Sequence, residues 1–290
     1  MKKKQRLPFA HRVDKPPSMY LTERDIAVIK AVYEYRFLQR EQIQQLFFPS
    51  VNTANYRLQR LFQHRYLQRI FAPDHYIRNA RNSQAIYCLD EAGATLVATE
   101  LGVPREQVSW YPERNRVKEY FIQHLLKIND FRIALTNAAD GRSDSIVTWV
   151  PEWRLKEYGE FVNDPLTGKR LPVSPDGYFI YEEGRSGKRS HFFLELDRST
   201  MENRRFAKKI KAYIQYIKTG AYQHRYRTRS LRVLTVVPSE HRLRNLKETT
   251  EKAGGKSMFW FTTYDALQPT TILQPVWWIA GQRQYAALTN

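Results

Sequence analysis

The chain has 290 residues, 42% of them hydrophobic, and a formal net charge of +18 with a sequence pI of about 9.9. That hydrophobic share fills ordinary cores and excludes a disordered chain, and the length suits two domains. The single cysteine, Cys88, excludes an intramolecular disulfide and disfavours a zinc-thiolate cluster, while the absence of a long uncharged apolar run excludes a membrane helix.

The basic excess is spread over both halves, so a polyanion such as double-stranded DNA is the expected partner of each. Residues 1–19 read as a basic N-terminal arm opening on Lys2, Lys3, Lys4 and Arg6, without the apolar core of a signal peptide, and the expected compartment is the cytoplasm.

Residues 20–102 read as one domain. Thr22 is an N-cap candidate, with Glu23 and Asp25 in the first turn of a helix whose apolar stripe runs through Ile26, Ile29 and Val32 to about Arg36. A short second helix runs from about Arg40 to Phe47. Pro49-Ser50 breaks the chain and opens a third helix to about Gln63, with Val51, Ala54, Leu58, Leu61 and Phe62 inward and Asn52, Thr53, Asn55, Tyr56, Arg57 and Arg60 outward. Asn pairs with adenine and Arg with guanine through two hydrogen bonds each, so this outward set suits base edges in a major groove. Two β-prone runs, 66–71 and 85–89, flank a loop from Pro73 to Asn82 that carries Arg78 and Arg81, placed to reach phosphates or a minor groove. A helix from Asp90-Glu91 to about Gly102 closes a winged helix-turn-helix. Such a closing helix is also where a homodimer would form. A small helical bundle with a polar face is the plainer alternative.

Residues 103–116, with Pro104, Pro112 and a polar run, read as a linker. The rest, 117–290, reads as an α/β domain. A long helix over about 117–139 carries Glu119, His124 and Asp130; a strand near 146–150 follows, and the loop at 159–170 turns between two more strands. The hairpin 176–197 comes next, turning at Gly184 and Gly187. Pairing Glu182 with His191 sets Asp176 opposite Asp197, on the face that Glu195 shares. Clustered carboxylates need a metal, a proton or a basic partner, so Asp176, Glu195 and Asp197 are candidate ligands for Mg2+ or Mn2+, or the acids of ion pairs with Arg198 or Lys209.

The following helix buries Phe206, Ile210, Tyr213, Ile214 and Ile217 at helical spacing. Arg204, Arg205, Lys208 and Lys211 lie on the opposite face, while Lys209 flanks the stripe. No acidic residue occurs between Asn203 and Ser239, and this basic, tyrosine-rich run suits a DNA backbone. A buried strand over 231–237, a helix capped by Ser239 and a strand over 258–262 complete the pattern, with the Trp277-Trp278 tail serving packing.

The run HLLKINDFRIAL (124–135), then PDGYF (175–179), FLELDRST (193–200) and KIKAY (209–213), behind a winged helix, resembles the replication-relaxation family of plasmids and mobile elements. The C-terminal half is also similar to the PD-(D/E)XK nuclease, or restriction-endonuclease-like, fold. That resemblance implies Asp176 and Glu195 as metal-binding acids, Glu119 as a loose match to the helix acid, and a lysine where this chain has Asp197; Lys209 would substitute for it. Asp176, Glu195, Asp197 and Lys209 are therefore the candidate catalytic set. The resemblance implies a DNA-binding role in replication, relaxation or mobilisation, with a relaxase or replication protein as a partner. An active Mg-dependent endonuclease and a winged-helix transcriptional regulator stand as alternatives.

Overall fold

The computed structural model describes residues 7–8, 10–71 and 85–289; the loop carrying Arg78 and Arg81 lies outside the described residues, as do Lys2, Lys3, Lys4 and Arg6. The chain divides into two compact units, Met1–Asn129 and Asp130–Asn290.

In the first unit, Thr22 Oγ1 accepts the Asp25 amide at 3.3 Å and the Asp25 carboxylate accepts the Thr22 amide at 2.8 Å. This reciprocal capping box starts α1 (Glu23–Tyr35), which buries Val28, Ile29 and Val32. A two-residue strand β1 (Leu38–Gln39) precedes α2 (Arg40–Phe47), and Ser50 caps α3 (Val51–Gln63). Strands β2 (Leu67–Ile70) and β3 (Ile86–Leu89) pair antiparallel, with β1 on the other edge of β3. Helix α4 (Glu91–Leu101) is capped by Asp90 and ends on left-handed Gly102. Gly93 lets α4 lie against the Tyr66 carbonyl, where a Cβ would fall 2.1 Å from that oxygen.

The described residues of the arm, 7–8 and 10–19, are irregular, yet Pro8, His11 and Arg12 are held. Arg12 donates to the Phe62 carbonyl at 2.7 Å, to the Leu67 carbonyl at 3.1 Å and to Asp90, and Gln63 donates to the Pro8 and His11 carbonyls. The expected linker is also structured. Two 3-10 turns, Arg105–Gln107 and Pro112–Asn115, flank buried Val108 and Trp110, and Asn115 donates to the Leu89 carbonyl at 2.8 Å. These apolar and hydrogen-bonded anchors join 103–116 to the first unit.

The division between the units falls instead inside α5 (Glu119–Asp140). Ile122 and Leu126 of that helix pack with Phe37, Ile86 and Cys88, while Asn129 donates to the Phe37 carbonyl at 2.7 Å. Proline and polar composition pointed to a spacer at 103–116, but the buried contacts of the first three turns of α5 outweigh that signal.

The second unit is built on a seven-stranded mixed sheet in the order β12-β11-β10-β9-β8-β7-β4. Its elements in chain order are β4 (Ser145–Pro151), α6 (Glu152–Glu157), the small hairpin β5 (Phe161–Asn163) and β6 (Arg170–Pro172), β7 (Gly177–Glu182), β8 (Arg189–Leu196), α7 (Asn203–Lys218), α8 (Ala221–Tyr226), β9 (Arg232–Val237), α9 (Glu240–Lys252), β10 (Phe259–Thr263), β11 (Trp277–Ile279) and β12 (Tyr285–Ala286). Strands β8, β9 and β10 run parallel, joined by α7–α8 and then by α9, and the outer pairs run antiparallel. The mixed α/β class expected from the sequence is the class observed.

Helix α7 buries Phe206, Ile210, Tyr213 and Tyr216 in one cluster with Phe193, Val233, Phe259 and Phe261. Phe131, Trp149, Phe179 and Phe192 form a second aromatic group, with Phe131 also edge-on to Trp277. Trp277 is fully buried and Trp278 stacks on Tyr285, as a packing tail requires.

Candidate functional site

The hairpin that carries the acidic residues closes two positions away from the expected register. Glu182 pairs with Arg189 and Gly177 with Leu194, so Asp176, one step beyond the last pair, comes abreast of Glu195 rather than Asp197. The turn from Glu183 to Lys188 causes the shift: Glu183 N donates to the Lys188 carbonyl at 3.0 Å and Gly187, at φ 64°, donates to the Glu183 carbonyl at 2.8 Å. A shift of two preserves the faces of a strand, so the Asp176–Glu195 juxtaposition survives and is closer than expected. Asp176 leads into β7 behind Pro175, which has no amide to give. Its own amide donates to the Leu194 carbonyl at 2.9 Å, and its Oδ2 accepts the Leu196 amide at 2.7 Å.

Helix α7 closes over Glu195. Lys209 donates to Glu195 Oε2 and Tyr213 to Oε1, so both carboxylate oxygens are taken by side chains one helical turn apart. Glu195 is 4% exposed. Burial is the largest influence on it and pushes its carboxyl up to about 7; Lys209 pulls the other way and Asp176 adds to the rise. Burial works against the charge of Lys209 too, but Glu195, Asp176 and Glu152 outweigh it and raise the lysine. Burial and then Glu195 drive the Tyr213 phenol far up, so it stays a donor. Carboxylate oxygens of Glu152 and Asp176 lie within 4.8 Å of each other. Sequence reasoning missed Glu152, because α6 is six residues long with one buried position, Leu155. Beside Glu195, Thr235 pairs in register on β9 and its buried hydroxyl has no partner among the described residues.

Asp197 stands apart. Arg242, in the first turn of α9, binds it through Nε at 2.7 Å and through an η nitrogen at 3.0 Å, and the Ser199 amide adds a third donor at 2.9 Å. The same guanidinium reaches Asn203 and the Met201 carbonyl, and Tyr264 donates to the Asp197 carbonyl. The ion pair expected of Lys209 with the acidic cluster is met at Glu195, while Asp197 pairs with Arg242, which the sequence reading did not name. The signal for Arg242 was the Ser239 cap, which sets residue 242 one turn into a helix that starts where β9 ends. As held, the three acids are a poor fit to a divalent cation. A metal bound to all of them would have to displace Lys209 and Tyr213 from Glu195 and Arg242 from Asp197.

The outward residues sort by what holds them. On α7, Arg204, Arg205, Lys208 and Lys211 are exposed, as expected. On α3, Asn52, Thr53, Asn55 and Tyr56 are exposed, with Tyr56 at 54%. Arg57 is different: its Nε donates to Asp25 Oδ1 at 2.9 Å, a second nitrogen binds Oδ2, and it reaches the Tyr20 carbonyl. Arg60 is turned onto the Pro17 and Ser18 carbonyls of the arm. The expectation that Arg57 presents its guanidinium to a base is corrected by this pair, which spans 32 residues and leaves no local trace in the sequence.

Residues 29–231, from within α1 to the start of β9, match the family model described as replication-relaxation. The chain belongs to the replication-relaxation family. No curated protein and no solved structure matches it. Family membership points to a role in the replication or relaxation of plasmids or other mobile elements. The matched stretch contains Asp176, Glu195, Asp197, Lys209 and Tyr213, whereas Asp25 and Arg242 lie outside it. No helix among the described residues is long and apolar enough to cross a membrane.

Proposed function

We propose that this family member is a DNA-binding protein whose first unit is a winged helix-turn-helix and whose second is a nuclease-like fold used to hold DNA rather than to cut it. The observation that carries the reading is the closure of Glu195 by Lys209 and Tyr213, together with that of Asp197 by Arg242. A lysine so engaged is unavailable to stabilise charge on a reacting phosphate. In this reading Asn52, Thr53, Asn55 and Tyr56 meet base edges of double-stranded DNA, and Arg204, Arg205, Lys208 and Lys211 hold phosphates.

The second reading, Mg2+- or Mn2+-dependent cleavage, draws support from the close Glu152 and Asp176 carboxylates. In it Asp176 and Glu195 would hold the metal, which would supply Lewis-acid activation of the phosphodiester. One experiment separates the two. Supercoiled and linear DNA are incubated with the protein and either metal, beside Asp176→Ala and Glu195→Ala. No cleavage of either substrate is expected; cleavage abolished by both substitutions would overturn the binding-only reading.

Binding has its own measurement. Arg204→Ala, Arg205→Ala, Lys208→Ala and Lys211→Ala together should weaken every duplex and reduce the salt slope of binding by about three to four, at roughly 0.9 per phosphate contact. Asn52→Ala with Asn55→Ala should instead relax the base preference in a selection from random duplexes while leaving the salt slope in place. An unchanged preference would remove α3 from base recognition.

A further inference from the structure

A groove in the first unit has no role in that reading. It encloses about 1070 Å3, comparable with the largest of the pockets, about 300–1,000 Å3, that bury small ligands, and it runs between β2, the start of α4 and residues 105–122. Its lining includes the aromatics Trp110 and Tyr111 and the cations Arg65, Arg105, Arg116 and Lys118.

Its acids are already matched. Asp90 is held by Arg12, and Glu91 lies 3.5 Å from Arg65. Arg116 and Lys118 are exposed and make no ion pair among the described residues, so the groove keeps an unbalanced positive charge at one end. The guanidinium of Arg105 lies 5.3 Å from the Trp110 ring centre and its nitrogens donate to the Val108 and Trp110 carbonyls, which fixes the aromatic wall in place. Trp110 is 8% exposed, yet its indole Nε1–H has no acceptor among the described residues. A buried donor left unpaired costs about 1–3 kcal/mol and marks a place where an acceptor belongs. Tyr111, next in the chain, is 57% exposed.

We propose that this groove binds single-stranded DNA, with an unstacked base against Tyr111 and the phosphates on Arg116 and Lys118. A duplex keeps its base faces inside its own stack and gains nothing from an aromatic wall. A single strand offers a π-face at every base and a charge at every phosphate, and stacking on a protein aromatic contributes about 1–3 kcal/mol per base. The groove is distinct from the proposed duplex contacts, which use exposed residues of α3 and α7. The protein would then hold duplex and single strand at once, as a factor acting where a duplex opens must.

The test is fluorescence anisotropy of the full chain with a labelled oligothymidylate of about ten nucleotides and, separately, a labelled duplex. Tyr111→Ala should weaken the single strand roughly tenfold, the lower part of the stacking range. Arg116→Ala with Lys118→Ala should reduce its salt slope by about 1.4, at roughly 0.7 per contact for single strands. Both variants should leave duplex affinity within about twofold. All three residues are exposed, so the fold is expected to hold, and an unchanged thermal melt verifies it. Unchanged single-strand affinity, or an equal loss on duplex, would overturn the proposal. Loss of duplex binding in the α3 and α7 variants alone bears on the duplex reading and leaves this one standing.

Discussion

Each unit buries a carboxylate against a cation, Asp25 against Arg57 in the first and Glu195 against Lys209 in the second, and these two pairs behave in opposite ways. In the first, Asp25 is fully buried and takes four donors: the Thr22 amide and hydroxyl and two nitrogens of Arg57. Burial pushes its carboxyl up, but Arg57 and Thr22 outweigh that and hold it below the usual aspartate value. In the second, Glu195 has two donors, one a neutral phenol, and Asp176 nearby adds like charge. There burial wins. A buried acid beside a cation is thus neither a strut nor a reactive group by that fact alone. The number of donors and the sign of the next neighbour decide between an acid locked in its ionised form and one whose proton exchanges near neutral pH.

The largest effects should come from breaking each pair on one side only. Lys209→Met leaves Glu195 buried without its cation and should lose about 3–5 kcal/mol in urea unfolding. Adding Glu195→Gln should return much of that loss, because the uncompensated charge is gone. Arg57→Ala, at a guanidinium partly open to water, should lose about 2–3 kcal/mol, the scale of charge-assisted hydrogen bonds. Adding Asp25→Asn should return less, because Asp25 also closes the cap of α1. If both double variants recovered equally, the distinction drawn between the two acids would fail.

Acid and base should then pull the pairs apart. Asp25 has a folded-state value below its ordinary 3.8, so its contribution is whole above 3.8 and is lost as pH falls through the folded value. Glu195 has a folded value near 7 against an ordinary 4.5, so its contribution is whole below 4.5 and is lost as pH rises through about 7. Stability of the wild type relative to Glu195→Gln should therefore fall between pH 4.5 and 7. Stability relative to Asp25→Asn should be flat over that window and fall only in stronger acid. Parallel curves for the two comparisons would show that the acids are held alike.

What could be read in the sequence follows the range of the interaction. The start of α3 at Pro49-Ser50, its inward set Ala54, Leu58 and Leu61, and the buried flank of α7 that turns Lys209 and Tyr213 inward all rest on spacing within a few residues. The Asp176–Glu195 juxtaposition also came through, since a two-residue error in the hairpin preserves the face. Arg57 and Arg242 did not, because each finds its acid through packing between distant elements. An exposed-looking arginine at helical spacing carries the same signal whether it meets DNA or a buried aspartate. The spacer read at 103–116 missed a contact of the same kind: Asn115 is anchored on Leu89 and Gln68, residues far from it in the chain.

The smallest effects concern the two serine caps, and they refine the same contrast. Ser50 Oγ accepts the Thr53 amide and Ser239 Oγ the Arg242 amide, each at 3.3 Å, so Ser→Ala at either should cost about 1 kcal/mol on capping alone. The consequences then diverge. Asn52, Thr53, Asn55 and Tyr56 of α3 lie exposed and none of them is in a buried ion pair among the described residues, so Ser50→Ala should add independently to changes in the second unit. Ser239 anchors the turn from which Arg242 reaches buried Asp197, so Ser239→Ala frays a helix end and an ion pair together. Its cost should exceed that of Ser50→Ala and should shrink toward it in an Asp197→Asn background. A double-mutant cycle on thermal melts measures that coupling. Zero coupling would mean that Arg242 keeps its grip on Asp197 without the cap, and that the closure of this acid is a property of α9 packing rather than of its first turn.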